Sequence, residues 1–292
     1  MKSIVLLTDI PDWTAPFAET LNRDGWKVET VDLASFQWIA SEALPPWPLV
    51  FNRIAARPAD GDPMTMTRSR DLLAAIELAG IPCINGARCH AIGASKALQA
   101  SLFNTLGIPT PFTRPITKAE LSATVASLKK RGAAFILKPN AGGRGRGITS
   151  IDEPDSDTFA LDGCAVLQER IESGDGLIHR VEMLSGEILY AAETHLSDDS
   201  TDFCLGEASP DTTRLKEDLE PEIATFCRKI AAAASLDIGS FEYLVDTSGN
   251  PWFIDINPVS TFAPNAKEEF GFDPADRVLD WLNIHAKHTT NQ

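Results

Sequence analysis

The sequence predicts a fold of the α/β class, and three observations support this expectation. Short apolar runs alternate with amphipathic segments over about the first 90 residues, which is typical of a small α/β domain. Farther along, helical patterns alternate with pairs of strands joined by short turns, which is typical of α+β units. The length of 292 residues suits one large domain or two to three small ones.

The N-terminal elements follow from their apolar patterns and from the glycines that end them. Strands are expected at residues 3–9, 26–33 and 49–54. Helices are expected at residues 14–23 and 69–80.

The middle of the chain has two predicted helices and a strand pair that encloses a glycine-rich loop. The helices are expected at residues 95–106, with Leu98, Leu102, Phe103 and Leu106 on one face, and at 118–130, with a proline-rich extended connector between them. The strands are expected at residues 133–139 and 147–151.

The C-terminal part has strand pairs around short polar turns and two helices. Strands are expected at residues 164–171, 177–184, 187–196, 238–246 and 251–257, with a polar loop at 198–210. Helices are expected at residues 221–235 and 275–285.

Charge and composition restrict the class of partner. Asp and Glu total 41 against 26 Lys and Arg, so the net charge is −15. Such a surface repels nucleic acid and anionic membranes, and no apolar run approaches the ~18 residues of a membrane span. We expect no nucleic-acid and no membrane partner, and an anionic ligand would need a local positive site.

Cysteine usage and the N-terminus indicate a cytoplasmic protein. The five cysteines are odd in number and contain no CxxC pair, so we expect reduced thiols and no cysteine metal site. The apolar run at residues 4–7 is too short for a signal peptide.

The stretch "ILKPNAGGRGRGITS", residues 136–150, resembles a phosphate-binding loop in composition. A Walker loop would continue with Lys and Ser or Thr, and a dinucleotide loop would open a helix, whereas here the strand-forming residues 148–151 follow Gly147. The loop is therefore expected to join two strands and to fold over a triphosphate as a flap, with backbone N–H groups facing phosphate. A surface hairpin with solvated arginines is an equally open alternative on composition alone.

Basic residues in and near the loop favour the phosphate interpretation. Arg144 and Arg146 lie within the loop, Lys138 ends the strand that enters it, and Lys96 begins a predicted helix. Each of them can offer a positive charge to phosphate, although each lysine taken alone fits a solvated surface position as well.

Acidic residues near the C-terminus suggest a magnesium site. Asp255 and Asn257 are two positions apart on a predicted strand, so they share a face, and the expected hairpin brings Glu242 on the preceding strand close to them. Two carboxylates and an amide oxygen form the oxygen-rich set that Mg²⁺ prefers.

The polar stretch "LQERIESGDG", residues 167–176, follows a predicted strand. Such a hinge can pair with adenine through its backbone, and Glu169, Glu172 or Asp175 could hold ribose hydroxyls. An ordinary linker is the competing interpretation. Arg180 on the next strand is a candidate for contact with phosphate or an oxyanion.

Taken in order, these parts resemble the ATP-grasp ligases. The resemblance rests on "SKALQASLFNTLGIPTP", "FILKP", "NAGGRGRGI", "LQERI", "HRVEM", Glu242 and "DIN", and it covers about residues 85–285. Within that family the branch of ribosomal-protein glutamylating ligases is the most similar, through "INGARCHAIGASKALQ" and "DINPVSTF". The resemblance implies an ATP-grasp fold in which two α+β subdomains, residues 93–168 and 169–292, clamp a nucleotide behind an N-terminal α/β domain, residues 1–92.

Roles carried over by position follow from this resemblance. It implies that Lys96 and Lys138 contact the phosphates of ATP and that Gly142, Gly143, Gly145 and Gly147 form the flap together with Arg144 and Arg146. Gln168, Glu169, Arg170 and Ile171 would surround adenine, and Asp175 would also contact the nucleotide. Glu242, Asp255 and Asn257 would hold Mg²⁺, or Mn²⁺ in its place. Arg180 would touch the γ-phosphate or an acyl-phosphate, and Arg53 and Ser260 would face the substrates.

Three positions depart from the family pattern. Ile178 stands where relatives often have an acidic ribose ligand, Glu193 where an arginine is frequent, and Cys204 where "FN" has its asparagine. These changes affect the implied ribose contact and part of the implied triphosphate site.

The resemblance implies an ATP-dependent ligase that joins a carboxylate to an amine through an acyl-phosphate. Its substrates would be small carboxylic acids and amines, such as amino acids or peptides, and a homodimer is compatible with the family. Two alternatives stay open: a nucleotide-binding protein without turnover, and a kinase that releases a phosphorylated product.

Overall fold

The computed structural model describes residues 2–55, 62–142, 147–151, 156–159, 161–195, 213–216, 219–260, 262–263 and 266–289. No helix in these ranges is both long and apolar enough to cross a lipid bilayer.

The described residues contain strands and helices in alternating groups. The strands are β1 (Ser3–Thr8), β2 (Lys27–Asp32), β3 (Val50–Arg53), β4 (Cys83–Ile84), β5 (Thr113–Thr117), β6 (Phe135–Pro139), β7 (Thr149–Ser150), β8 (Cys164–Glu169), β9 (Leu177–Leu184), β10 (Glu187–His195), β11 (Thr213–Lys216), β12 (Ile238–Val245) and β13 (Pro251–Asn257). The α-helices are α1 (Pro11–Arg23), α2 (Pro63–Leu78), α3 (Ala87–Gly93), α4 (Lys96–Thr105), α5 (Leu121–Leu128), α6 (Pro221–Ala234), α7 (Ala266–Phe270) and α8 (Pro274–Thr289). Short 3₁₀ turns cover Lys118–Glu120, Lys129–Arg131 and Ser156–Phe159.

The first sheet is parallel, with the strand order β2-β1-β3-β4. Both of its faces are covered, as parallel strands connected through helices require. Ile4 and Leu6 of β1 pack with residues of α1 and α8, while Val5 and Leu7 pack with residues of α2. The continuous apolar run of β1 is therefore explained by burial on both sides.

The second sheet is built from antiparallel pairs, in the order β5-β8-β6-β7. Phe135 and Leu137 of β6 pack into a core with Leu128 of α5. Because side chains alternate along a strand, Ile136 and Lys138 face the opposite side of this sheet.

The third sheet is also antiparallel, in the order β11-β10-β9-β12-β13. One face carries Val181, Met183 and Phe241 and is covered by α3, α4 and α6. The other face carries the polar and charged residues of the candidate site. The separation of an apolar and a polar face is what alternation along antiparallel strands produces.

Each sheet lies within one of the three predicted domain ranges, except that β8 passes the boundary at residue 168 by one residue. Helix α4, however, contributes Phe103 to the core of the third sheet and not to that of the second. The domain division stays a prediction.

Most predicted elements are present. The strands predicted at residues 177–184 and 251–257 begin and end where the structure has them. The two predicted hairpin turns are also present; at the first, Ser185 and Gly186 both have positive φ, as a two-residue hairpin turn favours.

Several predictions of local structure were wrong or incomplete. Helices α1 and α2 begin earlier than predicted, since Pro11 and Pro63 occupy first-turn positions that tolerate proline. Part of the proline-rich connector forms the edge strand β5, where a missing N–H is tolerated. Leu98 is 48% exposed and not part of the buried face of α4. The elements β4, α3, β11 and α7 were not predicted.

Candidate functional site

Charged side chains from four elements meet on the polar face of the third sheet. Lys96 Nζ at the start of α4 lies 2.5 Å from Asp255 Oδ1 on β13. Arg180 Nη1 on β9 donates to Glu242 Oε1 on β12 at 3.0 Å. Asn257 Nδ2 donates to the same Glu242 oxygen at 3.2 Å. Five residues that the sequence singled out are therefore brought together.

A β-bulge gives this cluster its geometry. In the β12–β13 pair Glu242 lies opposite Asp255, but Tyr243 lies opposite Phe253, so that Ile254 is an extra residue. Strict alternation would put Phe253 on the face of Asp255. The bulge instead lets Phe253 enter the apolar core while Asp255 stays beside Glu242.

Two glycines let the segment after β13 approach closely. A Cβ on Gly93 would lie 2.4 Å from Pro258 Cγ, and a Cβ on Gly239 would lie 2.4 Å from the carbonyl oxygen of Asn257. Gly239 also has a φ of +154°, which other residues rarely adopt. The position of Asn257 thus depends on the absence of side chains at both places.

The electrostatics of the cluster suit a divalent cation. Burial raises the pKa of Glu242; the positive charge of Arg180 opposes that effect, and the nearby charge of Asp255 adds to it. The two carboxylates repel each other at close range, and Asn257 contributes an amide group beside them. This oxygen-rich donor set fits Mg²⁺, since a cation would relieve the repulsion. Within the described part of the chain, no three or more His, Cys, Asp or Glu residues group together as metal ligands, so a metal here would rely on the Asn257 amide as well as on the two carboxylates.

Glu182 is a site residue that sequence reasoning missed. It is fully buried on β9, where Oε1 accepts from Arg180 Nε at 2.8 Å and from Ser260 Oγ at 2.8 Å. Its spacing of two from Arg180 was the available signal, because residues two apart on a strand share a face. Burial acts to lower the pKa of Arg180, but the charges of Glu182 and Glu242 outweigh it, so the net pKa is raised and the guanidinium stays charged.

Arg53 and Ser260, the predicted substrate residues, lie on the same side of the third sheet. Arg53 is 1% exposed, and its Nη2 donates to the carbonyl oxygen of Ser260 at 2.9 Å. Arg180 Nη2 lies 3.4 Å from Ser260 Oγ. Ser260 therefore connects the guanidinium groups of two different sheets.

Lys138 lies on the second sheet, on the face opposite the apolar core. It is 8% exposed and shares that face with Ile136, Val166 and Gln168, as the β6–β8 register requires. The buried amine lies at the end of the strand that enters the glycine loop.

Asn140, which the sequence did not single out, connects the glycine loop to α4. Its carbonyl accepts from Lys96 N at 3.0 Å, and its Oδ1 accepts from Ala97 N at 3.1 Å. These bonds place the N-terminus of α4 beside the start of the loop. Lys96 is thereby positioned between the loop and Asp255.

The ends of the glycine loop are described, and its tip is not. Gly147 has a φ of +74°, and a Cβ there would lie 2.9 Å from Pro139 Cγ, so a side chain is excluded. A Cβ on Gly142 would also approach Pro139, at 3.2 Å. Gly143, Arg144, Gly145 and Arg146 lie outside the described residues, and their roles stay predictions.

The hinge predicted to surround adenine follows β8. Gln168 is buried and donates to Thr113 Oγ1. The N–H groups of Glu169 and Arg170 donate to the carbonyls of Phe112 and Ala134, which directly precede β5 and β6. A base would therefore pair with other backbone groups of the hinge, and Ile171 N–H is the next candidate donor.

Asp175, a predicted nucleotide contact, and Glu193, one of the departures from the family pattern, lie away from the charged cluster on the third sheet. Asp175 Oδ2 is 2.8 Å from His179 Nε2, and Glu193 Oε1 is 3.4 Å from His179 Nδ1. His179 stacks on Tyr243, on the face of the sheet opposite Arg180. The structure therefore does not bring Asp175 to the cluster, and Glu193 does not occupy the polar face. Cys204 lies outside the described residues.

Comparison with known proteins agrees with this architecture. A family model of the ATP-grasp domain matches residues 94–261, more than half of the chain. The chain therefore belongs to the ATP-grasp family. No sequence among curated proteins matches it.

Solved structures show the same fold at low identity. A D-cycloserine synthetase has 20% identity and a TM-score of 0.69, with 98% of this chain and 99% of that chain covered. D-alanyl-alanine synthetase A from Vibrio cholerae has 14% identity and a TM-score of 0.70, with 98% and 99% covered. A RimK domain protein from Sphaerobacter thermophilus has 16% identity and a TM-score of 0.66, with 95% and 98% covered. The finer resemblance to glutamylating ligases stays a prediction.

Proposed function

We propose that the protein is an ATP-dependent ligase that joins a carboxylate to an amine through an acyl-phosphate. The observation that carries this proposal is the convergence of Lys96, Arg180, Glu242, Asp255 and Asn257 on one sheet face. The ATP-grasp ligase PsnB, which shares the fold, was solved with a minimal precursor, Mg and ADP. Other proteins of this fold are a D-Ala:D-Ser ligase and D-alanyl-alanine synthetase A.

Glu242, Asp255 and Asn257 would hold Mg²⁺. When bound there, Mg²⁺ would neutralise phosphate charge that develops during phosphoryl transfer. The carboxylates bind a cation only when ionised, and the positive charges of Arg180 and Lys96 support the site by acting to lower the pKa of Glu242.

The basic residues would bind the phosphates of ATP. Lys138 and Lys96 lie at the start of the glycine loop and of α4, and Asn140 holds these two segments together. Positive charge at fixed positions stabilises the transferred phosphoryl group without reorganisation during the reaction.

Arg180 would bind the developing negative charge of the acyl-phosphate. Its side chain is 28% exposed, so part of the guanidinium is accessible, while Glu182 and Glu242 fix its orientation. A guanidinium held in this way donates charge-assisted hydrogen bonds to phosphate or carboxylate oxygens.

The experiment is a screen for ADP release with Mg²⁺ over a matrix of carboxylic acids and amines, including amino acids and peptides. A ligase requires both an acid and an amine for full ADP release and produces an amide that mass spectrometry detects. Hydroxylamine should capture an acyl-phosphate as a hydroxamate.

Two other results would contradict the ligase proposal. ADP release that leaves a stable phosphorylated product would indicate a kinase. Tight ATP binding in calorimetry without ADP release for any acid and amine would indicate a binding protein.

We infer four further properties from other observations. The division at residues 92 and 168 is supported by the three sheets. A cytoplasmic location is supported by the four described cysteines, which are all free thiols. Small amino acid or peptide substrates agree with the proteins of the same fold named above. A homodimer stays a prediction that light scattering would test.

A further inference from the structure

Helix α4 carries an amide side chain on the face that packs into the apolar core. Gln99 and Phe103 are four residues apart on this helix, and each is 1% exposed. Phe103 packs against Phe253 of β13 in the core of the third sheet. A buried amide costs free energy unless its polar atoms are bonded, and an apolar side chain of the same size would serve packing as well. The reason for an amide at position 99 therefore lies in its hydrogen bonds.

Gln99 binds the backbone of β13 between Asp255 and Asn257. Its Nε2 donates to the carbonyl oxygen of Ile256 at 3.2 Å, and the N–H of Ile256 donates to Gln99 Oε1 at 3.3 Å. Nε2 also donates to the carbonyl oxygen of Gly93, the last residue of α3, at 3.0 Å. Only this orientation of the amide matches every donor with an acceptor.

The amide of Gln99 takes the place of a neighbouring strand. β13 is at one end of the third sheet, so the outer N–H and C=O groups of this strand have no strand partner. At Ile256 both groups are bonded by Gln99. At Phe253 the N–H donates to the carbonyl oxygen of Pro109, which follows α4. Helix α4 and the segment after it thus fix the backbone of this edge strand.

The backbone at Ile256 determines where two of the proposed metal ligands lie. Ile256 is 0% exposed and belongs to the apolar core, so the flanking Asp255 and Asn257 face the opposite side of the strand. Asp255 Oδ1 accepts from Lys96 Nζ and from the Ile256 N–H. A cation bound to Asp255 would compete with these two contacts. The bonds of Gln99 involve no side-chain atom of Asp255 or Asn257 and are compatible with a bound cation.

We propose, on the basis of the Mg²⁺-dependent ligase function above, that Gln99 is a positioning residue for the cation site. By fixing Ile256 it holds Asp255 and Asn257 at the separation that Mg²⁺ requires. Mg²⁺ demands near-ideal octahedral coordination, whereas Ca²⁺ accepts longer and less regular coordination. Gln99 therefore favours Mg²⁺ over Ca²⁺ without contacting either ion. Residues that orient metal ligands from behind typically change metal affinity about ten- to a hundredfold.

The test is the metal dependence of AMP-PNP binding in the intact Gln99→Met variant. Methionine has nearly the same size and shape as glutamine but lacks the amide. Calorimetry at a series of Mg²⁺ and of Ca²⁺ concentrations measures the half-maximal concentration of each ion. We expect this concentration to rise at least about tenfold for Mg²⁺ and less than about threefold for Ca²⁺. All measurements are made well below the thermal midpoint of the variant, so that a loss of stability alone leaves the ratio of the two ions unchanged.

Thr14→Val is the matched control. Thr14 on α1 is 0% exposed, and its Oγ1 donates to Thr8 Oγ1 at 2.8 Å. The substitution also removes a buried hydrogen bond with little change in shape, but in the first sheet, so both half-maximal concentrations should stay as in the wild type. If Gln99→Met does not fold, Gln99→Asn keeps the amide but is one methylene too short to bridge Gly93 and Ile256. This variant should show the same selective loss for Mg²⁺.

The outcomes distinguish this inference from the ligase proposal. An unchanged Mg²⁺ dependence, an equal rise for both ions, or the same selective loss in Thr14→Val would overturn the role of Gln99 and leave the ligase proposal intact. A wild-type protein that binds AMP-PNP without any dependence on Mg²⁺ would overturn both. A selective loss for Mg²⁺ in a protein that releases no ADP with any acid and amine would support the role of Gln99 and contradict the ligase.

Discussion

At the scale of single residues, the site is a local balance of opposite charges on an acidic protein. The cations are Lys96, Arg180 and Arg53, and the anions are Glu182, Glu242 and Asp255. Because the chain carries a net charge of −15, an anionic nucleotide needs this local concentration of positive groups. Each carboxylate already forms an ion pair with a basic side chain. A bound cation or anion would therefore alter existing ion pairs.

The first residue-scale prediction concerns the cation site. Asp255→Asn should raise the Mg²⁺ concentration that half-maximally promotes AMP-PNP binding by at least about tenfold, because an amide replaces a charged ligand. Calorimetry at a series of Mg²⁺ concentrations measures this shift. The thermal midpoint should stay within about 2 °C of the wild type, since the amide has nearly the same shape as the carboxylate and its oxygen can still accept from Lys96.

Glu29→Gln is the control for Asp255→Asn. Glu29 is exposed on β2, the edge strand of the first sheet, whereas the cluster lies on the third sheet. Its substitution removes the same charge. An unchanged Mg²⁺ dependence in Asp255→Asn, or an equal change in both variants, would exclude Asp255 as a metal ligand.

The second residue-scale prediction concerns phosphate binding. Lys138→Met keeps the apolar stem of a buried side chain but removes its charge, so AMP-PNP should bind about ten- to a hundredfold more weakly. Lys130→Met removes the same charge from an exposed position and should have no effect. Equal nucleotide affinity of the two variants would show that Lys138 does not contact phosphate.

At the scale of elements, the site depends on how segments are joined. Asn85, between β4 and α3, is fully buried with a φ of +53°. Its Oδ1 accepts from Asp237 N and Ile238 N, and its Nδ2 donates to the carbonyls of Ile238 and Pro258. One side chain therefore joins the N-terminal domain to β12 and to the segment that follows Asn257.

Asn85→Ala should lower the free energy of unfolding by about 3 kcal/mol. The change leaves several buried backbone groups without partners and places an alanine at positive φ. Urea unfolding followed by circular dichroism measures the loss. Mg²⁺-dependent AMP-PNP binding should weaken as well, because Pro258 adjoins Asn257.

Two further variants separate the contributions of Asn85. Asn85→Gly removes the same hydrogen bonds but tolerates positive φ, so it should be about 1 kcal/mol more stable than Asn85→Ala. Asn22→Ala on the exposed side of α1 should be nearly neutral. A loss below 1 kcal/mol in Asn85→Ala would contradict the proposed junction.

At the scale of the whole molecule, one apolar core belongs to both ends of the chain. Ile4, Phe17 and Phe51 of the N-terminal domain pack with Ile238 of β12 and with Leu282 of α8. Asn283 on α8 adds hydrogen bonds to Lys2, Trp26 and Asp24. We therefore expect the first and third sheets to unfold together.

Leu282→Ala tests this coupling. Leu282 is 1% exposed, so the cavity should cost about 3 kcal/mol, whereas Ile284→Ala on the same helix, at 56% exposure, should cost less than about 0.5 kcal/mol. Hydrogen exchange should accelerate equally in β1 and β12 of the Leu282 variant. Acceleration confined to β1 would mean that the N-terminal domain unfolds separately.

Apolar periodicity and turn residues in the sequence were sufficient to predict much of the fold and part of the site. The strands β9 and β13 were predicted at their observed bounds because apolar periodicity and turn residues depend on neighbouring positions alone. The same local rule placed Asp255 and Asn257 on one face. The family resemblance gave Arg180 and Lys96 their roles, and no periodicity could show that they lie beside Glu242 and Asp255.

Tertiary structure alone decided the contacts between distant segments. Arg53 and Ser260 are 207 positions apart, and Asn140 meets α4 across more than 40 positions. The bulge at Ile254 and the partners of Glu182 likewise depend on which strands become neighbours. Such pairings result from packing of the whole chain, and a pattern confined to a few consecutive residues carries no information about them.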